Sequence, residues 1–477
     1  MRIAFVAAEA APFAKVGGLG DVIGSLPASL RQLGHDPFVL IPAYASVPHL
    51  RDMETIGEAQ VLWPDGQERV TVRRQVHAEI PYFLLENPRF FGREGIYGYP
   101  DDPERFCFFS RAALQCLPLL GFPQVVHVHD WHTSPVLFYL ASTAFHEQPE
   151  YAQLGTVLSL HNLAFQGLVE PSLLARVGLP VSPQDERLEY HGRVNLLKGG
   201  ILAADIVGTV SPTYAREILS STLGFGLETS LSRRRDVLFG ILNGLDTVDF
   251  DPAEFGYHPN DSPLPYKHHA KTQLQAALGL PTEEKIPLLA IVSRLSEQKG
   301  FDLFFPILDR LLAQGIQLVI LGNGDEGYAR LFREAEVRFP QQVSYQGGFN
   351  APLAKQIYAG ADIFLMPSRF EPCGLSQMIA LRYGTIPVVR QTGGLADTVF
   401  EYQLETEEGN GFLFQPYEAE AFYAAIQRAL SVYMQEHHWL RLVKNGLAGD
   451  YSWAHSAPRY AEVYGKALHL HAECAAR

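Results

Sequence analysis

Three stretches of the 477-residue sequence combine charged side chains with glycine-rich or helix-start surroundings, and each could handle an anion or a sugar. Lys15-Val16-Gly17-Gly18-Leu19-Gly20-Asp21 follows the apolar run Ile3 to Ala8 and precedes apolar positions at Val22, Leu26, Leu30 and Leu33, the pattern of a strand, a loop and a helix. Glycines let that backbone bend and let a ligand approach, while free amides at a helix N-terminus favour negative charge, which Lys15 reinforces. The loop is therefore a candidate phosphate cradle, with a plain tight turn as the alternative. In Ser293-Arg294-Leu295-Ser296-Glu297-Gln298-Lys299-Gly300, again between a strand and a helix, a guanidinium fork and an ammonium could clamp a diphosphate or form a solvated basic turn. In Ser368-Arg369-Phe370-Glu371-Pro372-Cys373-Gly374-Leu375-Ser376, Glu371 stands just before a helix N-terminus. Amides and dipole stabilise a carboxylate there, leaving it able to accept from sugar hydroxyls or simply to cap the helix. Cys373 stands where a thiol can be activated, but no histidine lies near it in sequence, which favours a packing role.

A fourth group is rich in histidine: His127, His129, His132 and His161. No HExxH or CxxC companion accompanies them, so strand-end polar contacts fit better than a metal site. Asp130 beside Trp131 offers a carboxylate for hydroxyls and an aromatic face for stacking. Gly95-Ile96-Tyr97-Gly98-Tyr99-Pro100 places aromatic groups between flexible glycines, a carbohydrate surface or a structural turn.

The elements that must carry these groups read as an α/β chain. Short apolar runs at Phe38 to Ile41, Val125 to Val128, Thr156 to Leu160, Ile206 to Val210 and Val237 to Leu242 each close on a polar cluster, and in open parallel sheets ligands sit beyond such strand ends. Pro27 inside the first helical pattern should kink that helix or delay its start. Between Arg51 and Phe91 the spacing nears two, which predicts a small antiparallel excursion. Residues 246–266, rich in Asp, Pro, Gly and His without periodicity, read as a linker. The second half repeats the plan with strands at Leu288 to Val292, Leu318 to Leu321, Ile363 to Met366 and Ile386 to Val389, and Thr392-Gly393-Gly394-Leu395-Ala396-Asp397 echoes the opening loop. The expected organisation is an N-terminal Rossmann-like domain over 1–245, the linker, a C-terminal Rossmann-like domain over 267–452 facing the first across a cleft, and a helix in 453–477 that packs back on the first domain.

Composition narrows the function. A formal charge of −14 argues against general affinity for nucleic acid or anionic membrane, 47% hydrophobic residues describe a globular core, and no apolar run reaches the roughly 18 residues of a spanning helix. Four cysteines without metal-ligand spacing, and no export or transit pattern before the first strand, fit a cytoplasmic protein.

Taken in order, the Lys15 to Asp21 loop, His129-Asp130-Trp131-His132, His161-Asn162, Ile241-Leu242-Asn243-Gly244, Arg294 with Lys299-Gly300, Arg369 to Leu375 and Thr392 to Asp397 resemble bacterial glycogen synthases and plant starch synthases across nearly the whole chain. The resemblance implies a GT-B architecture, two Rossmann-like domains facing across a deep cleft. It also implies transfer of glucose from ADP-glucose to the non-reducing end of an α-1,4-glucan (glycogen, an amylopectin-like glucan or a malto-oligosaccharide), with retention of configuration and neither metal nor other cofactor. By position it assigns Lys15, Gly17 and Gly18 to donor phosphate and glucose, Arg294 and Lys299 to the departing diphosphate, and Glu371 to glucose hydroxyls. Cys373, Gly374, Leu375 and Ser376 would line the donor site with the Gly393-Gly394 turn, and His161 with Asn162 would sit at the reacting sugar. Asp21, Tyr97, Asp130, Trp131 and Asn243 would contact sugar or acceptor. Ser376 stands where Thr is common. Phe349 stands near a position where many relatives carry a Tyr facing adenine, which keeps stacking without the hydroxyl. A related glucosyltransferase using UDP-glucose or a small acceptor, and a glucan-binding homologue without activity, are the alternatives. Oligomeric state is left open.

Overall fold

The computed structural model describes residues 1–179, 181–182 and 184–475. They form two compact units: one spans Met1–Gly244 together with the helix Trp453–Ala475, the other Leu245–Ser452. Among the described residues, no helix is long and apolar enough to cross a membrane.

The first unit is built on a nine-stranded sheet. Its spatial order is Leu238–Gly240, Ile206–Thr209, Gly155–Leu160, Val125–His129, Arg2–Val6, Asp36–Pro42, Ile80–Glu86, Gly66–His77 and Glu54–Trp63. The first seven strands run parallel, and the last two add the antiparallel excursion. The parallel strands are apolar on both faces because both are covered: Ala4 and Val6 join one core cluster, Ile3 and Phe5 the other. The second cluster includes Trp453, Tyr460, Val463 and Tyr464 of the C-terminal helix, which packs on the strand Gly155–Leu160. The order of strand addition reverses between Arg2–Val6 and Val125–His129: from the first strand the sheet grows one way, from the second the other. Such a switch point opens a crevice at the carboxyl ends of its two strands.

The helix Gly18–Gln32 starts at the glycine loop and runs through Pro27. Proline cannot donate to the carbonyl four residues before it, and that carbonyl, of Ile23, accepts instead from the Tyr82 hydroxyl at 3.3 Å.

The second unit holds a six-stranded parallel sheet in the order Val343–Gly347, Gln317–Gly322, Leu288–Val292, Ile363–Met366, Ile386–Arg390, Phe412–Phe414, with its switch point between the third and fourth. Residues 246–266, expected as a linker, belong to this unit. The guanidinium of Arg382 donates to the carbonyls of Phe250 and Thr247, Lys355 pairs with Asp249 at 2.9 Å, and Pro263 already opens the helix Pro263–Ala277. Polar, proline-rich sequence is fixed here by side chains more than a hundred positions away.

Candidate active site

In the first unit Lys15, Gly17, Gly18, Asp21, Tyr97, Asp130, Trp131, His161 and Asn162 stand beyond the strand ends around the switch point, whereas Asn243 follows the edge strand Leu238–Gly240; a residue that sequence reasoning missed organises the glycine loop. Glu9, three residues past the strand Arg2–Val6 and 4% exposed, accepts from the amides of Val16 at 2.6 Å and Gly17 at 2.9 Å, and from the Tyr97 hydroxyl at 2.6 Å. The expected phosphate cradle is thus already filled: two of the loop's amides hold the protein's own carboxylate. Lys15 is paired as well, its Nζ 2.5 Å from Asp21 Oδ1, with both side chains partly open to solvent. Tyr97 is half-buried, its ring against those of His132 and Phe106, and desolvation raises its pKa further beyond the physiological range. It is a neutral donor.

From the neighbouring strand, Asp130 starts a short helical turn with φ of 56°, a left-handed conformation that a non-glycine residue holds only when its surroundings fix it. Its Oδ1 accepts from the amide of His161 at 2.7 Å. Burial pushes the Asp130 carboxyl up to about 7, against the opposing pull of the His161 and Asn162 amides. The His161 ring meets His129, Nε2 to Nδ1 at 3.0 Å, and burial holds His161 neutral with a pKa of about 4. Asn162 closes a local turn, its Oδ1 accepting from the Ala164 amide. Asn243 lies beyond the strand Leu238–Gly240, 6% exposed, and its Oδ1 has no hydrogen-bond partner among the described residues. A buried orphan acceptor of this kind fits a ligand donor. Trp131 is one wall of a pocket of about 470 Å³ whose other sides include Phe165, Gln166, Tyr190, Phe225 and Asp102. Aromatic faces with a few polar groups are what a sugar ring, apolar on its faces and hydroxylated at its rim, requires.

The second unit's residues also meet at a switch point, but they are organised by charge. Lys299 ends the turn Glu297–Lys299 and places Nζ 2.6 Å from Oε2 of Glu371, which is 6% exposed and also accepts from Ser368 Oγ at 3.0 Å. Arg294, beyond the strand Leu288–Val292, is exposed. Cys373 is buried, and the segment through Gly374 is held by Gln377 Nε2, which donates to the carbonyls of Cys373 at 3.1 Å and Gly374 at 2.8 Å. Leu375 caps the helix Ser376–Arg382, so Ser376 stands at its first turn. The Gly393-Gly394 turn presses on this segment: the Gly394 amide donates to the Glu371 and Pro372 carbonyls, both at 3.1 Å. A Cβ at Gly393 would lie 1.9 Å from the Glu371 carbonyl oxygen, and one at Gly394 2.1 Å from that of Cys373. The pair is therefore required by close backbone approach and buttresses the Glu371 to Ser376 segment. Phe349, after the strand Val343–Gly347, is 84% exposed, an uncovered aromatic face at the same edge of the sheet.

Among the described residues, one group of histidine and carboxylate side chains is close enough to share a metal ion, Glu407 with His437 and His438. Arg441 Nε stands 3.9 Å from the same carboxylate and competes for it.

Two Rossmann-like units, each with a cluster at its switch point, define a glycosyltransferase of the GT-B class, and similarity to known proteins agrees. Residues 2–233 match the family model for the starch synthase catalytic domain, and residues 272–445 that for glycosyl transferases group 1. Glycogen synthase 2 of Geobacter sulfurreducens is 44% identical over 97% of this chain and 98% of its own, and the glycogen synthase of Bacillus subtilis 43% identical over 97% and 98%. The catalytic domain of starch synthase IV from Arabidopsis thaliana, solved bound to ADP and acarbose, superposes with a TM-score of 0.90 at 34% identity, covering 98% of this chain and 99% of that one. A sucrose-phosphate synthase from Thermosynechococcus elongatus shares the fold, with a TM-score of 0.63 at 18% identity. The chain belongs to the family of bacterial glycogen synthases and plant starch synthases.

Proposed function

We propose that this glycosyltransferase is an ADP-glucose-dependent α-1,4-glucan synthase that adds glucose to a non-reducing end with retention of configuration, in the cytoplasm and without a metal. The observation that carries the reading is the cluster of the second unit: a buried carboxylate paired to Lys299, an exposed Arg294 and an uncovered Phe349 around one strand edge. Those groups suit glucose hydroxyls, a diphosphate and an adenine ring in that order.

In the proposed reaction the acceptor O4 attacks the donor C1 on the face from which ADP departs. The bond from C1 to the β-phosphate oxygen breaks, ADP carries away that electron pair, and the acceptor's proton passes to the departing phosphate. Arg294 and Lys299 stabilise the charge that grows on the diphosphate. Glu371 orients glucose, with Cys373, Gly374, Leu375 and Ser376 along the donor. Lys15 and the Gly17-Gly18 turn serve donor phosphate and glucose through what they leave exposed, the Val16 and Gly17 amides being held by Glu9, and His161 and Asn162 serve the reacting sugar. Tyr97, Asp130, Trp131 and Asn243 receive the glucan, whose neutral hydroxyls match the uncharged donors and orphan acceptor found there.

The experiment crosses two donors, ADP-glucose and UDP-glucose, with two acceptors, glycogen and maltose, reading nucleoside diphosphate release and chain length. The expected result is fastest release from ADP-glucose with glycogen, and chains that grow by α-linked glucose. Faster use of UDP-glucose or of maltose would support the related-transferase reading, and glucan binding without release from either donor would support a non-catalytic homologue.

A further inference from the structure

The chemistry of His161 depends on which ring nitrogen carries its proton, and the structure constrains that choice through His129. Strand alternation and register bring four side chains to one face of the first sheet. His127 and His129 are two apart on one strand, His129 pairs in register with Ser159 on the next, and His161 follows Ser159 by two. The C-terminal helix covers this face. His127 is bonded at both nitrogens, to the Tyr464 hydroxyl at 2.9 Å and to Ser159 Oγ at 2.7 Å, and its ring lies tilted with its centroid 4.1 Å from that of His129. His129 is fully buried and makes one ring hydrogen bond, from Nδ1 to His161 Nε2. Its Nε2 has no partner among the described residues.

Burial drives the pKa of His127 and His129 well below its ordinary value and that of His161 to about 4, so all three rings are neutral near pH 7. Between two neutral imidazoles one must donate and the other accept. A proton on His129 Nε2 would leave an N–H in the core with no acceptor, whereas a proton on Nδ1 leaves only a lone pair unmet. Orphaned buried N–H groups are the rarer of the two. We propose that His129 is a positioning residue whose Nδ1–H donates to His161 Nε2, fixing His161 in the Nδ1-protonated form so that it meets the reacting sugar as a hydrogen-bond donor. The nitrogen thereby protonated has no partner among the described residues. The tautomer of a histidine is set by the bond its other nitrogen makes, and here that bond comes from a second histidine that is itself fully buried.

The sugar-facing role rests on the function proposed above; the protonation state does not, and its test is separate. With the full chain labelled with ¹⁵N in its histidine rings, two-dimensional nitrogen–proton spectra read the His161 tautomer, its signal identified by its loss in His161→Gln. The wild type is expected to show Nδ1–H. His129→Phe keeps a ring stacked on Phe5 and beside His127 but removes the donor. It is expected to release His161 to the Nε2–H form and to lower kcat/KM about tenfold, the worth of one hydrogen bond, with the melting midpoint held within about 3 °C. His129→Asn, which restores an amide N–H close to the Nδ1 position, is expected to recover both the tautomer and most of the rate. An Nε2–H signal for His161 in the wild type overturns the proposal. So does an unchanged tautomer in His129→Phe, in which case any loss of rate reports packing alone. If His129→Phe does not fold, the wild-type and His129→Asn spectra decide. Absence of any glucosyl transfer would overturn the proposed function and leave the spectra to judge the proton.

Discussion

The two Gly-Gly turns share the order Gly-Gly-Leu-x-Asp and open helices at the same edge of similar sheets, yet they serve opposite physical ends. At Gly393-Gly394 the backbone of the Glu371 to Cys373 segment lies so close that no Cβ fits. At Gly17, with an ordinary φ of −143°, a Cβ would meet nothing within 4 Å, and the amide is spoken for by Glu9. One turn is a buttress, the other a tethered surface open to an incoming molecule. The clusters beside them differ in kind as well. The first unit gathers neutral histidines, a neutral tyrosine and an acid whose pKa burial raises; the second gathers a buried ion pair and an exposed guanidinium. Sequence likeness at a loop therefore does not carry its function, which is set by what the loop leans on.

The contrast can be broken most directly at the turns. Gly394→Ala forces a methyl into the Cys373 carbonyl and is expected to cost about 3 kcal/mol, on the order of 10 °C in the melting midpoint, while Gly17→Ala moves it by no more than about 2 °C. Calorimetry of the two variants decides it, and equal midpoints would dissolve the distinction. Next come the cations. Arg294→Met and Lys299→Met are each expected to lower kcat about 100-fold with a smaller change in KM. Only Lys299→Met strands the Glu371 carboxylate, so only that variant should also melt several degrees lower; a matching fall for Arg294→Met would count against the exposed role given to it.

The acid of the first unit gives a pH signature. Its folded pKa of about 7 stands above the ordinary 3.8, so the stability it contributes is complete below about pH 4 and is lost as pH rises through 7. The buried histidines act in the other direction, losing stability as pH falls below about 6.5. The stability of the wild type relative to Asp130→Asn should thus decline by about 2 kcal/mol between pH 5 and pH 7 in parallel denaturant titrations. A difference that stays flat would remove the raised pKa from the account. The smallest effect is expected at Glu9→Gln, which keeps the shape but weakens the charge-assisted bonds to Val16 and Gly17: kcat/KM should fall about tenfold with little change in midpoint. A fall in midpoint instead would make Glu9 a folding residue.

Much of this was readable beforehand because buried parallel strands announce themselves. Apolar runs such as Val125 to Val128 and Leu288 to Val292, each ended by a polar cluster, located both sheets and the edges where Asp130 and Arg294 stand. What escaped was whatever depends on distant partners. Glu9 carries no periodic signal, since its ligands are backbone amides seven and eight residues away. The stretch 246–266 has the composition of a linker, and its anchors, Arg382 and Lys355, come from another part of the chain. The meeting of His129 with His161 needed the register of two strands 30 residues apart, which no local pattern supplies.

The helix Trp453–Ala475 follows the whole second unit along the chain, yet it covers the histidine face of the first sheet and gives Tyr464 to His127. During synthesis the second unit has all of its residues before the first one does. Until its closing helix arrives, the face with Phe5 and His127 has the helix Gly18–Gln32 but lacks Trp453, Tyr460, Val463 and Tyr464. A nascent chain stalled between Ser452 and the end of that helix would carry one complete unit and one whose apolar face is only partly closed.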